Sequence, residues 1–363
     1  MDIKKRQNKT SSILAFTLLA TLLFSCQKKA NPAIESLERP LLYIAQYTSS
    51  PPKIDGSIDS TLWGEIAWSD TFIDIEGDIK PKYDTRMKMI WDEQNLYILA
   101  QLEEPHIWGN LKQRDTVIFY NNDFEVFLDP NGDTHQYIEL EINALNTVWD
   151  LFLEKPYRNK VKVDNQWNIE GLQTAVAIEG TINDPSDIDK HWIVEMALPW
   201  EGLKRGNPDA QIPRNAFWRI NFSRVNWEYS ILNNRYERKK DEQGKFLKEY
   251  NWVWSPQYVI NMHEPERWGY VFFAEDSTDQ QAIVHPENAQ LIQWMYAQYR
   301  NKLSRAKQNK ADDSAVATLW NEKKVTFKKQ TIQDTVYWAT TNPKTGEVYQ
   351  IRYDGKLRIQ KQN

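Results

Sequence analysis

The sequence predicts an all-β fold, an antiparallel β-sandwich carrying a small α+β appendage at its C-terminal end. Two observations carry this expectation. From about residue 51 to residue 274, short segments of alternating apolar and polar residues follow one another with turn residues between them and no long helical run. After residue 274 the pattern changes. Residues 288–310 place Leu291, Ile292, Met295, Tyr296, Tyr299 and Leu303 near helical spacing, and residues 325–359 resume as short strands.

The elements follow in order. Residues 51–59 are extended and close in an Asp55-Gly56 turn; Leu62 and Trp63 begin a short turn segment. Residues 85–91 alternate, with Arg86 and Lys88 on one face. A turn at residues 92–95 leads into a second strand over 96–102, which makes a hairpin. Residues 123–157 read as three strands. In the first, Phe124, Val126 and Leu128 alternate with Asp123, Glu125 and Phe127; in the second, Leu140 and Ile142 alternate with Glu139, Glu141 and Asn143. Period two of this kind marks a half-buried antiparallel strand. Residues 171–178 and 191–198 form another pair, 199–203 a helical turn, and 217–225 and 268–273 the remaining strands. In the tail, residues 313–320 are expected as a second short helix, followed by strands joined at 342–346 and 353–356.

The chain of 363 residues has 45 Lys+Arg against 50 Asp+Glu, a net charge of -5, which gives no reason to expect nucleic acid as a partner. With 16 Trp, 17 Tyr and 13 Phe it is rich in rings; most belong to a core, but the number favours a surface that binds through aromatic faces. The start is a targeting segment. Lys4, Lys5, Arg6 and Lys9 precede an apolar run over 13–24 that is too short for an ordinary membrane span. It ends in Leu23-Phe24-Ser25-Cys26, which resembles the lipobox of bacterial lipoproteins. Cys26 is the single Cys of the chain, so no disulfide and no Cys nucleophile is expected. Lipidation of Cys26 implies a protein anchored in the cell envelope, on the periplasmic or surface face of the outer membrane. The expected organisation is a signal segment over 1–26, a tether over 27–48, the sandwich over 49–276 and the appendage over 277–363.

The body resembles the family 9 carbohydrate-binding modules, and more closely family 9-like lipoproteins. The segments Ile54-Asp55-Gly56-Ser57-Ile58-Asp59 with Trp63, Trp91-Asp92-Glu93-Gln94-Asn95-Leu96-Tyr97 and Asp123-Phe124-Glu125-Val126-Phe127-Leu128-Asp129-Pro130 carry the resemblance. Residues 137–143, 192–200, 218–227 and Pro265-Glu266-Arg267-Trp268-Gly269 continue it. It implies a non-catalytic β-sandwich that grips sugar chain ends between aromatic rings over polar side chains, often beside polysaccharide-degrading enzymes, and that carries structural calcium. Position by position, the family's strand carboxylate falls on Glu125. Its first aromatic falls on Phe119, where the family has Trp. Its basic residue on the next strand falls on Glu141, a reversal of charge. Its amide and neighbouring polar residues fall on Asn221, Ser223 and Arg224, and its second aromatic near Met262 and His263.

Phe119, Glu125, Glu141, Asn221, Ser223, Arg224 and His263 are therefore the candidate saccharide contacts, with Tyr120 a further wall candidate. By alternation, Glu125, Glu139, Glu141, Asn143, Arg219, Asn221 and Ser223 share one sheet face, with Arg86 and Lys88 as candidates to join them; the plainer reading is a solvated face with cross-strand ion pairs. Asp129, Asn131 and Asp133, with Gly132 between them, offer alternating oxygens to calcium, but lack the rest of an EF-hand loop and read more simply as an Asx-capped turn. The five His show no metal-ligand spacing. A lipid-anchored carbohydrate-binding protein is the leading function. A glycoside hydrolase is the alternative, since Glu139 and Glu141 lie roughly 6.8 Å apart along a strand; against it, no carboxylate stands in an evidently apolar setting that would raise its pKa. A haem binder on a related sandwich would need two axial ligands, which the adjacent Met262 and His263 supply poorly.

Overall fold

The computed structural model describes residues 33–77, 79–161, 163–275 and 279–361. The expected signal segment, Cys26 and the first residues of the tether lie outside these. In chain order the main elements are β1 (Leu42–Tyr47), the one-turn helix α1 (Ser60–Gly64), β2 (Ile73–Asp74), β3 (Thr85–Trp91), β4 (Asn95–Glu103), β5 (Asp123–Asp129), β6 (Tyr137–Asn143) and β7 (Val148–Leu153). There follow β8 (Gln173–Glu179), β9 (His191–Pro199), β10 (Phe217–Asn226), β11 (Tyr229–Leu232), β12 (Arg235–Arg238), β13 (Tyr250–Val253) and β14 (Gly269–Ala274). The tail holds α2 (Ala289–Lys307) and β15 (Val316–Trp320), β16 (Lys323–Ile332), β17 (Thr335–Thr341), β18 (Val348–Arg352) and β19 (Leu357–Gln360). Among the described residues no helix is long and apolar enough to cross a membrane.

The body is one continuous sheet ordered β7-β6-β5-β10-β14-β1-β3-β4-β9-β8, with β13 added to β10 and β2 to β13. It curls on itself. Phe124, Val126, Leu140 and Phe222 from one half meet Met87, Ile98 and Val194 from the other in a single core, so the expected sandwich is what forms. The hairpin of β3 and β4, the β5-β6-β7 meander and the β8-β9 pair occur where the alternation put them.

Three expectations need correction. The tether was expected to run to residue 48, yet Leu42–Tyr47 is a sheet strand, parallel to both β14 and β3. Tyr43 and Ala45 are buried there. The strand joins the two halves of the sandwich, and Trp91 locks the joint: its indole N–H reaches Ala45 O at 3.2 Å and Ala274 O at 3.1 Å. Leu62 and Trp63 lie not in a turn but in α1, capped by Asp59, whose carboxylate accepts from Thr61 N and Leu62 N. Residues 316–320 are not helical; Val-Ala-Thr-Leu-Trp pairs antiparallel with β16, and its period-two burial ends on Trp320.

The tail is not a loosely attached appendage. A second core gathers Leu291, Met295 and Tyr299 of α2, Phe327, Trp338 and Tyr349 of its sheet, and Ile34 from the N-terminal side. The tail also docks on the β5–β6 turn, where Leu357 N donates to Asp133 O and Thr134 Oγ1 to Gly355 O. Glu266 cements the joint. Its side chain is fully buried and pairs with Arg158 at 2.9 Å and with Arg300 of α2 at 3.3 Å. Burial raises its pKa, but the two guanidinium groups outweigh that and hold it below the ordinary value. Glu266→Ala leaves two guanidinium groups without their buried partner. It is expected to cost about 3–5 kcal/mol of unfolding free energy, read from urea titrations; a loss under 1 kcal/mol would mean the joint is not needed.

Candidate functional site

On the side of the β7-β6-β5-β10 layer away from the core lies a cavity of about 370 Å³. Its floor is set by register. Glu125 pairs with Glu141 across β5 and β6, Phe127 with Glu139, and Glu141 with Trp149 on β7. Its walls include Phe119, Tyr157, Met262 and His263. The Tyr157 and His263 rings meet edge-on at 4.1 Å between centroids.

Every residue of β5 and β6 is buried. The polar face of this layer is not the solvated surface that alternation ordinarily implies; the segment 254–268 and the residues around Tyr157 cover it. Asn221 holds that cover. Its Nδ2 donates to Ser255 O and its Oδ1 accepts from Ser255 N, both at 2.9 Å. The Trp268 indole adds a bond to Met262 O at 2.8 Å.

Glu125, Glu139 and Glu141 form this buried floor, Asp123 is fully buried beside Glu125, and Glu249 also lines the cavity. Oxygens of Asp123, Glu125 and Glu141 all lie within 4.8 Å of one another. Glu139 stands next to Glu141 on the same face of the strand. Like charges placed opposite each other on paired strands destabilise a sheet, and none of the residues lining the cavity is Lys or Arg. The protonation equilibria respond. Burial first, then Glu125 and Glu139, push Asp123 well above its ordinary value. Glu139 is raised by burial and Glu125. Glu141 is raised by burial and by Asp123, Glu125 and Glu139, against one stabilising bond from Phe119 N at 2.9 Å. Glu125 rises from 4.5 to about 7, through burial and Glu249, with the Ser223 hydroxyl working against them. Burial pushes His263 down to about 3, so its ring is neutral, with Nδ1 2.9 Å from Tyr137 Oη. The expectation that no carboxylate stands in an apolar setting is therefore overturned.

The structure brings together Glu125, Glu141, Phe119 and His263, and separates the rest of the expected set. Ser223 is the cross-strand neighbour of Glu125 on the same face, fully buried and not among the residues that line the cavity. Asn221 has the expected facing, but its amide is spent on Ser255. Arg224 points to the opposite face, as Phe222 does. It is buried against Glu104 at 2.6 Å, with Thr85 Oγ1, Glu103 O and Asn226 Oδ1 around it and the Trp252 ring below. Arg86 and Lys88 belong to the other half of the sandwich, stacked on Trp68. Arg219 is bound to Trp268 O, Glu266 O and the Tyr270 hydroxyl, and Asn143 to Leu111 O. Tyr120 is exposed and carries Arg238 on its ring. Glu139, already expected on this face, lines the cavity with Trp149, Tyr157 and Glu249, which join the candidate set, and Asp123 is buried beside Glu125. Asp123, Glu139 and Trp149 share the strand phase of Glu125 and Glu141, so alternation alone pointed to them.

The proposed calcium ligands do not fit that ion. Asp129 accepts from Gly132 N at 3.1 Å and Thr134 N at 2.8 Å, Asn131 from Asp133 N, and Asp133 from His135 N. The oxygens turn inward to cap the turn, and Lys356 Nζ stands 3.0 Å from Asp133 Oδ2.

The pKa of Glu125 carries a stability prediction. An unfolded chain releases this proton near 4.5, and the folded chain keeps it to about 7. Stability without ligand therefore falls as pH rises through that window. Thermal unfolding is expected at higher temperature at pH 5.5 than at pH 8, and Glu125→Gln should narrow the difference by raising the pH 8 value. Identical pH dependence in both proteins would show that Glu125 is not an uncompensated charge.

Comparison with known proteins agrees with this picture. Residues 54–216 match the family described as carbohydrate family 9 binding domain-like. The chain is 25% identical over 168 residues to endo-1,4-β-xylanase A of Thermotoga neapolitana, covering 46% of this chain and 14% of that one. It is 25% identical over 164 residues to endo-1,4-β-xylanase A of Thermoanaerobacterium saccharolyticum, covering 45% and 12%. It thus spans only a small part of the xylanases it matches. Among solved structures, a family 9 carbohydrate-binding module from Caldicellulosiruptor kristjanssonii in complex with cellotriose aligns at 16% identity with a TM-score of 0.39, covering 68% of this chain and 99% of that one. The segment 54–216, which makes up much of the β-sandwich, is thus similar to the family 9 carbohydrate-binding domains.

Proposed function

We propose that this chain is a non-catalytic, lipid-anchored protein of the cell envelope that binds an oligosaccharide or polysaccharide end in the cavity above β5 and β6. The observation that carries this reading is the cavity itself: a floor of hydrogen-bonding carboxylates between aromatic walls, about the size of one or two sugar residues, with Glu125, Glu139 and Glu141 of the floor inside the segment matched to a carbohydrate-binding family and the Met262 and His263 wall beyond it. Carboxylates take paired hydroxyls, and ring faces cover the C–H side of a pyranose. The xylanase relatives support xylan-type or cellulose-type chains as the first ligands to test, and companion polysaccharide-degrading enzymes as partners.

The raised carboxylates keep a second reading, glycoside hydrolysis, in view. Against it, hydrolysis needs one acid and one ionised carboxylate flanking the scissile bond. Here Glu125, Glu139 and Glu141 lie side by side on one sheet surface, and none of the three faces another across the cavity; Glu249 is the further carboxylate in the lining.

Calorimetry with xylo- and cello-oligosaccharides is expected to give micromolar to millimolar affinity, about −8 to −4 kcal/mol. Glu125→Ala should weaken it by about 1–3 kcal/mol. Equal affinities would remove Glu125 from the site, and steady release of reducing sugar would move the protein to the hydrolases.

The anchor has its own test. Cys26→Ala is expected to shift the protein from the membrane fraction to the soluble fraction. A variant as firmly membrane-bound as the wild type would refute lipidation at Cys26.

A further inference from the structure

We propose that the ligand of this cavity carries a free ammonium group, and that the site is built for an amino sugar rather than a neutral one. This deepens the saccharide reading above and rests on it.

Three features of the floor lead to this inference. First, the oxygens of Glu125 and Glu141, which line the cavity, and of Asp123, fully buried beside them, form a triangle with no side longer than 4.8 Å. Three acceptors around one ammonium nitrogen, each at about 2.8 Å and in tetrahedral directions, stand about 4.6 Å apart. An ammonium offers three donors and no acceptor, which is the complement of three carboxylate oxygens. Second, among the described residues the cavity lining contains neither Lys nor Arg, and the one cation that acts on the cluster, Arg224, is paired with Glu104 and does not outweigh the burial of Asp123 and its neighbour Glu125. Asp123 Oδ2 and Glu139 Oε2 are buried without a hydrogen-bond partner, and the nearby His263 Nε2, 4.0 Å from Glu139, belongs to a neutral ring. A buried acceptor left in that state costs free energy unless a ligand meets it. Third, Trp149 lines the same cavity, and its indole N–H is buried without an acceptor. A bare divalent ion would satisfy the carboxylates but leave this donor and the aromatic walls unused. A pyranose bearing an amine supplies the cation, a hydroxyl acceptor for Trp149 and a C–H face for the rings in one molecule.

The test is calorimetry on the full chain at pH 7 with three tetrasaccharides: β-1,4-linked glucosamine, its fully N-acetylated form, and cellotetraose. The glucosamine oligomer is expected to bind at least tenfold more tightly than the other two. Glu141→Gln and, separately, Glu125→Gln should each cut that preference at least fivefold, with thermal unfolding confirming that the variants are folded. Cellotetraose or the N-acetylated oligomer binding as tightly as the amine would overturn the ammonium inference and leave the saccharide reading standing. Binding of none of the three would overturn both. Binding of calcium in the absence of sugar, lost in Glu141→Gln and accompanied by no preference for the amine, would overturn the inference in favour of a metal site.

Discussion

The burial of both faces of the β7-β6-β5-β10 layer is the constraint on which the site depends. An antiparallel sandwich layer ordinarily gives one face to the core and the other to water. Here the outer face is roofed by the segment 254–268, held through the reciprocal Asn221–Ser255 bonds and the Trp268–Met262 bond. Had that face remained open, water would have screened Glu125, Glu139 and Glu141, and their proximity would have cost little. Under the roof they are buried, crowded and short of partners. The same few hydrogen bonds that order a loop thus turn an unremarkable row of acids into a chemically demanding surface.

A fold that keeps such a surface must be stable elsewhere. The core between the two halves of the sandwich supplies this, with Trp91, Trp200, Trp218 and Phe273 in edge-on contact at its end. Trp91 does two jobs there. Its ring packs in the core while its N–H bridges carbonyls of β1 and the end of β14, so the parallel joint and the packing stand or fall together. Arg224 shows the opposite balance from the cavity. It is as deeply buried as the acids, but Glu104, three oxygen acceptors and a Trp face surround it, so it is a settled structural cation.

Much of this was legible in the residues. Strict alternation in residues 123–143 fixed which side chains share a face, and so identified Glu125 and Glu141 together. The hairpins were readable because Asp92-Glu93-Gln94-Asn95 and similar runs interrupt the alternation with turn chemistry. What the sequence hid has physical causes. Alternation gives the phase of a strand, not what covers it, so a roofed acidic face looked like a solvated one. Arg224 was misplaced by following the family position rather than the period: it is one residue from Ser223, and one residue reverses the face. β1 was missed because it pairs parallel with distant strands, and no local turn announces such a partner. The expected helix over 313–320 gives way to a strand over 316–320 because a short run of small and apolar residues is ambiguous between the two periods.

The ion bridge at Glu266 reaches further than the joint it closes. Arg158, one of its two partners, follows Tyr157 directly, and the Tyr157 ring forms a wall of the cavity against His263. Arg300, the other partner, sits on the tail helix. A minimal module cut at residue 276 would therefore lose more than a covering domain. It would leave Glu266 with one guanidinium instead of two, loosen the grip on Arg158, and free the neighbouring Tyr157 wall. The ion pairs thus tie the cavity wall to a residue of the tail helix, Arg300, past the last segment in which the family resemblance is written.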